Sequence, residues 1–250
     1  MRPEIVLLEK PEALAVAAAE IFTRLCQASI AMRGRFAVAL AGGTTPRMTY
    51  EKLAGLSRTD GPDWSRVDLF VGDERDVPPD HEQSNYHMMR EALFDTVLDD
   101  PDRVGRFHTE WQDPERTARA YAEEARRRLP ADRAGRPRFD LVLLGLGTDA
   151  HTASLFPRSP LLPDSPGFAA HVFVPGLDTR RYTLTPAAIN AAADVLFLVA
   201  GSSKSAALRA VLDEEGPVET APARVVRPAH GRLRWLVDRA AAAGSSAAGH

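Results

Sequence analysis

Apolar residues in this chain gather in short, nearly unbroken runs. Each run is followed by a turn and then by a stretch with helical spacing. Phe36–Leu40, Val67–Val71, Phe139–Leu144 and Asp194–Val199 are the clearest runs. They do not alternate apolar with polar, as a strand with one wet face would. Runs of this kind predict strands covered on both faces, and so a mostly parallel sheet flanked by helices. Ile5–Leu8 is a further strand candidate. Helices are predicted over the Ala-rich Pro11–Arg33, from Thr45-Pro46 to about Leu56, and from Ser84 to about Phe94. Thr45 is the expected cap of the second of these, with Pro46 at its first position. Two more follow, from Asp113-Pro114 to Leu129 and from Lys204 to about Leu212. Leu233–Val237 reads either as a strand or as the start of a last helix, and the small, polar tail over 241–250 is expected to fray. With no internal repeat and no long linker, residues 1–250 are expected to form one α/β domain. The Pro-rich stretch Phe156–Gly167 is too long for idle packing and is expected to border a site.

Charge narrows the partners. Lys and Arg number 31 against 34 Asp and Glu, a net charge of −3, so the basic stripe of a nucleic-acid binder is not expected. The lone cysteine, Cys26, lies on an apolar helix and is read as a core residue in a reducing compartment. The opening MRPEIVLLEK lacks the pattern of a signal peptide, and the apolar stretches are read as too short to span a membrane. A cytoplasmic protein is the expectation. His81 and His87 have no metal-ligand spacing, and there is no Gly-x-Ser-x-Gly elbow.

Three of the four clear strands end in unusual chemistry, at the edge where open α/β sheets bind ligands. Gly42-Gly43-Thr44-Thr45-Pro46 offers glycines for close backbone approach, two hydroxyls and a helix start, which suits a phosphate; a plain capped turn is the alternative. Gly72-Asp73-Glu74-Arg75-Asp76 places carboxylates and a guanidinium directly after a buried strand. Arg75 can hold a phosphate or an oxyanion, and Asp73 can orient water or a sugar hydroxyl. A solvated turn is the alternative. Gly145-Leu-Gly-Thr-Asp149-Ala-His151 formally matches a dinucleotide loop, but no second strand of that unit follows, so a nicotinamide cofactor is rejected. What remains is a histidine that can act as a base and an aspartate that can steer it. Lys204, at a helix start after a strand, can face a phosphate.

Taken together, GGTTP, GDERDVPPDHEQSNYHMMREALF, LVLLGLGTDAHTASLFP, RYTLTPAAIN and FLVAGSSKSAAL resemble the 6-phosphogluconolactonase family, in this order, over roughly residues 36–238. The resemblance implies a Rossmann-like sheet of the glucosamine-6-phosphate deaminase/ribose-5-phosphate isomerase type. It implies hydrolysis of 6-phospho-D-glucono-1,5-lactone to 6-phosphogluconate, in the oxidative pentose phosphate pathway, without metal or organic cofactor. Carried over by position, His151 is the general base and Asp149 its partner. Arg75 matches the Arg of the GDER block, Gly43, Thr44 and Thr45 the phosphate loop, and Lys204 and Arg181 further phosphate-facing cations. This chain departs from the family in three places. Ala150 stands where Gly is usual, Thr148 where Pro is common, and the segment before Asn190 reads TPAAIN. An amino-sugar-phosphate isomerase or deaminase of the same fold, and a non-catalytic sugar-phosphate sensor, are the alternatives.

Overall fold

The computed structural model describes residues 3–56, 60–100, 103–132, 135–162, 165, 167–213 and 215–249. The chain runs β1 (Glu4–Leu8), α1 (Pro11–Arg33), β2 (Phe36–Leu40), α2 (Thr44–Ala54), β3 (Val67–Val71), β4 (Asp73–Arg75) and α3 (Asn85–Met89). A π-helical turn, Arg90–Phe94, joins α3 to α4 (Asp95–Val97). Then come α5 (Pro114–Arg128), β5 (Leu141–Leu144), β6 (Ala169–Val174), β7 (Thr179–Leu184), α6 (Pro186–Asn190), β8 (Asp194–Val199), α7 (Ser205–Leu212), β9 (Arg232–Asp238) and α8 (Arg239–Ala242).

Six strands form a parallel sheet in the order β1-β9-β8-β5-β2-β3. Because successive side chains on a strand face opposite ways, each run splits its bulk between two cores. Phe36, Val38 and Leu40 pack with Leu141, Leu143, Leu196 and Leu198 beneath α1, α2 and α3. Ala37, Ala39, Val142, Leu144, Val195 and Phe197 pack on the other side, with Tyr121 of α5 and Leu208 of α7. That double burial is why the runs carry no polar alternation. A second sheet, antiparallel and ordered β4-β7-β6, completes the latter layer with Val172, Tyr182 and Leu184.

Helix starts follow their capping chemistry. Ser84 accepts from His87 N at 3.2 Å, Asp113 from Arg116 N at 3.0 Å, and Thr185 from Ala188 N at 3.2 Å. Cys26 is fully buried, and burial pushes its thiol up to about 12.

Two open readings are settled and two expectations are corrected. Leu233–Val237 is strand, as the core of β9. The stretch after Val71 is not a solvated turn, since Asp73–Arg75 is β4, paired to β7. The tail is not frayed among its described residues. Ala241, Ala242 and Ala247 are buried, and Ser246 N donates to Asp213 at 2.9 Å, so small side chains let the tail lie close against α7. Residue 250 of that tail, and residues 163, 164 and 166 of the Pro-rich stretch, lie outside the described residues. Finally, α1 has 23 residues and, by length and composition, is apolar enough to cross a membrane. Its Leu14, Ala18, Phe22 and Cys26 are buried in the sheet's core, so here it is a packing helix.

Candidate active site

Parallel pairing brings the carboxyl ends of β2, β3, β5 and β8 out at one edge. Leu40 lies beside Val71, and Leu144 beside Phe197. The chain moves from β2 to β3 on one side, while β5 lies on the other side of β2. A crevice opens at such a reversal. The loops after β2 and β5 meet there: a Cβ on Gly145 would lie 3.9 Å from the Gly42 carbonyl oxygen.

Helix α2 begins at Thr44, two residues earlier than the sequence reading, so Thr45 is not its cap. Gly43 caps it instead, with φ 105°, a conformation that only glycine adopts without strain. The N–H groups of Thr44 and Thr45 therefore stand in the first turn without intrahelical acceptors, and Pro46 has none to leave unpaired. The result is an exposed turn of donors at a helix N-terminus. Gly42 is fixed by crowding, because a Cβ there would lie 2.0 Å from Asn85 Oδ1.

Strand β4 carries the next group. Glu74 is buried and accepts from Asn85 N at 2.7 Å, Tyr86 N at 2.9 Å, Arg75 N at 2.9 Å and Ser84 Oγ at 3.0 Å. Burial raises its carboxyl above the usual range, against the pull of those hydrogen bonds. It is an anchor for the start of α3. Asp73 is also buried, accepting from Ser154 Oγ at 2.8 Å, and its backbone carbonyl accepts from Asn85 Nδ2 at 2.7 Å. Arg75 donates to the Gln83 carbonyl at 2.5 Å and stands opposite Arg181 in the β4–β7 register. Arg181 is held below its usual range, first by burial and then by the charge of Arg75. Two guanidiniums at paired positions of neighbouring strands can together take an anion. Asp76 is structural, taking the Tyr182 hydroxyl at 3.0 Å and Arg180 at 3.3 Å.

The third loop holds the imidazole. His151 Nδ1 and Asp149 Oδ1 lie 2.5 Å apart, and His151 N donates to the same oxygen at 3.2 Å. A carboxylate only accepts, so Nδ1 carries the proton and Nε2 is left with its lone pair. Burial acts to raise Asp149, but its hydrogen bonds and charge contact with His151 outweigh this and hold it below the usual carboxylate range. The ring lies on Gly147, where a Cβ would be 2.1 Å from Nδ1, and Phe156 packs against it at 4.3 Å between centroids. Phe156 opens the Pro-rich stretch, so that stretch begins beside the imidazole. Thr152 Oγ1 donates to the Gly145 carbonyl at 2.9 Å, tying the loop back to the point where it meets Gly42.

Ala150, at φ 63°, keeps the left-handed turn that favours glycine. The strain costs roughly 1 kcal/mol. Burying the methyl group returns about 0.8 kcal/mol, and Ala150 is only 3% exposed. The carbonyl of Ala150 accepts from Ala223 N at 3.0 Å. Asn190 clamps that neighbouring segment, donating to the Val225 carbonyl at 2.8 Å and accepting from Arg227 N at 2.7 Å. Lys204 lies beyond β8 on a turn set by Asp238, which accepts from Gly201 N at 3.0 Å and from Ala241 N at 2.8 Å.

The structure thus brings Gly42, Gly43, Thr44 and Thr45 to the loop of Asp149 and His151, joins Asp73 to that loop through Ser154, and sets Arg75 against Arg181. Lys204 is at the same edge, with no side-chain contact to the others. Sequence reasoning missed Asn85, Ser154 and Asp238, polar groups that touch the loops only through the fold. Among the described residues no group of three or more His, Cys, Asp or Glu side chains could hold a metal ion.

An open parallel sheet with a glycine-threonine turn and an Asp-His loop at one reversal defines a ligand-binding class of α/β proteins. Residues 9–235 match the family described as glucosamine-6-phosphate isomerases/6-phosphogluconolactonase, and the chain belongs to it. It is 39% identical over 243 residues to the 6-phosphogluconolactonase of Synechocystis sp., covering 96% of this chain and 98% of that one. It is 38% identical to that of Streptomyces coelicolor, covering 96% and 94%. The solved 6-phosphogluconolactonase of Trypanosoma brucei superposes with a TM-score of 0.86 at 32% identity, covering 96% of this chain and 98% of that chain. A monomeric glucosamine-6-phosphate deaminase, 22% identical with a TM-score of 0.77, shares the fold, covering 96% and 98%.

Proposed function

We propose that this protein hydrolyses 6-phospho-D-glucono-1,5-lactone to 6-phospho-D-gluconate, with His151 as the general base. The observation that carries the mechanism is the Asp149–His151 pair at 2.5 Å in the loop that meets the Gly42–Thr45 turn. The phosphate dianion lies on the N–H groups and hydroxyls of Thr44 and Thr45, with Lys204 and the Arg75–Arg181 pair supplying positive charge. That anchor sets the lactone carbonyl near Nε2 of His151, and positioning of this kind is a large part of the rate. His151 takes a proton from water as the oxygen attacks C1, which is worth roughly 10²–10⁴-fold. Arg75 or a backbone N–H stabilises the oxyanion. As the C1–O5 bond breaks, the imidazolium returns the proton to O5, and the product acid ionises.

Asp149 holds the tautomer. Asp73, with its carboxylate on Ser154, positions the His151 loop; it does not handle water directly. A cytoplasmic site of action fits a chain whose one cysteine is a buried thiol. The test is NMR of lactone loss above the spontaneous rate, beside ammonia release from glucosamine 6-phosphate. Lactone turnover without ammonia is expected; ammonia release without lactone turnover would assign the chain to the deaminase branch.

A further inference from the structure

The carboxylates beside Arg75 in the chain are committed elsewhere. Asp73 takes Ser154, Glu74 takes the start of α3, and Asp76 takes Tyr182 and Arg180. Among the described residues Arg75 makes no ion pair. Its guanidinium is fixed by one hydrogen bond, Nη1 donating to the Gln83 carbonyl at 2.5 Å. A guanidinium carries five N–H donors, so the others are left for a ligand. Where that fork points is set by the direction of a single carbonyl.

His81 sets the direction. Residues 78–84 make two consecutive turns, with His81 N donating to the Pro78 carbonyl at 3.0 Å and Ser84 N to the His81 carbonyl at 2.8 Å. N–H and C=O point opposite ways across a trans peptide, so drawing Ser84 N toward His81 turns the Gln83 carbonyl outward, to Arg75. The preceding peptide is held by the ring, as Gln83 N donates to His81 Nδ1 at 3.0 Å. A backbone N–H only donates, so Nδ1 accepts and the ring proton sits on Nε2. The imidazole takes the part that Asn or Asp plays at the first position of many turns, accepting from the N–H two residues on. Glu82 and Gln83 are exposed, so packing does little to hold this peptide and the ring does much.

We propose that His81 is a positioning residue, whose imidazole locks the turn that aims Arg75 at an anionic group of the substrate. The inference rests on the assignment of Arg75 to the substrate and adds what fixes its guanidinium.

The probe is 6-phospho-D-gluconate, titrated into the full chain and followed by NMR. Its phosphate and carboxylate offer Arg75 an anion whether the guanidinium serves the phosphate or the carbonyl end. His81→Ala should raise Kd about tenfold, as loss of one hydrogen bond dictates. His81→Phe, which keeps a ring and loses the acceptor, should match it. His81→Asn, which returns an acceptor to the same N–H, should recover most of the loss. In an Arg75→Ala background, His81→Ala should change Kd by less than about twofold, because both act through one group. Wild-type affinity in His81→Ala or His81→Phe, a loss that His81→Asn leaves in place, an equal loss in the Arg75→Ala background, or no binding by the wild-type chain would overturn the proposal. Lactone turnover is measured separately: this pattern of binding in a chain without turnover would keep the inference and remove the reaction.

Discussion

At the scale of single residues, the candidate site depends on two glycines, Gly42 and Gly147, as much as on its polar groups. Gly147 has no positive φ, so alanine is allowed there by the backbone, but its Cβ would lie 2.1 Å from His151 Nδ1 and 2.7 Å from Asp149 Oδ1. Gly147→Ala should therefore fold normally and push the imidazole aside, lowering kcat about 10²-fold, because an ångström of misplacement costs on that order. Steady-state kinetics beside a urea melt checks this, and wild-type turnover would contradict it. Asp149 offers a second test. Its folded carboxyl is held below the ordinary range. A lowered carboxylate contributes stability that is full above its unfolded value, near pH 4, and is lost as pH falls through the folded value. The melting difference between wild type and Asp149→Asn should be present at pH 6 and close on acidification below pH ~4. A difference that grew in acid would invert the sign and the assignment.

The polar types of the candidate site were legible residue by residue. His151, Asp149, Arg75 and the Thr44–Thr45 turn all stood directly after apolar runs, and the fold brings those runs out at one edge. Glu74 was not legible. A charged residue after a strand reads as solvated, and nothing local announces that three backbone N–H groups and a serine will surround it.

At the scale of elements, the parallel strands were readable because burial on both faces leaves an unbroken apolar signature. The second sheet was not. β4 is three charged residues, and β7 opens with Thr-Arg-Arg. In β6 only Val172 and Val174 are buried, on either side of an exposed Phe173. The β4–β7 pairing joins segments about a hundred residues apart, so tertiary context decides it. The start of α2 shifted for a similar reason: Gly43 takes the turn that Thr45 was expected to cap. Asn190 matters at this scale. Its amide holds both Val225 and Arg227, and so steadies Ala223, which in turn holds the His151 loop at Ala150. Asn190→Ala should cost about 1 kcal/mol in urea unfolding, the loss of one half-buried and one exposed hydrogen bond. No measurable change would mean the clamp carries no weight.

At the scale of the molecule, one edge of one sheet gathers chemistry from residues 42 to 204. The closing segment, expected to fray, belongs to the same body. Ala247 is fully buried, and Ser246 is bonded to Asp213. Deleting residues 245–250 should lower stability by about 1–2 kcal/mol, from lost methyl burial and a lost hydrogen bond. Calorimetry with an unshifted Tm would contradict that.

The most direct measurement is His151→Ala assayed by NMR on 6-phosphogluconolactone, corrected for spontaneous ring opening. Turnover should fall by roughly 10²–10⁴-fold with KM little changed, because the phosphate cradle is intact while the proton acceptor is gone. Near-normal kcat in a folded variant would contradict the account.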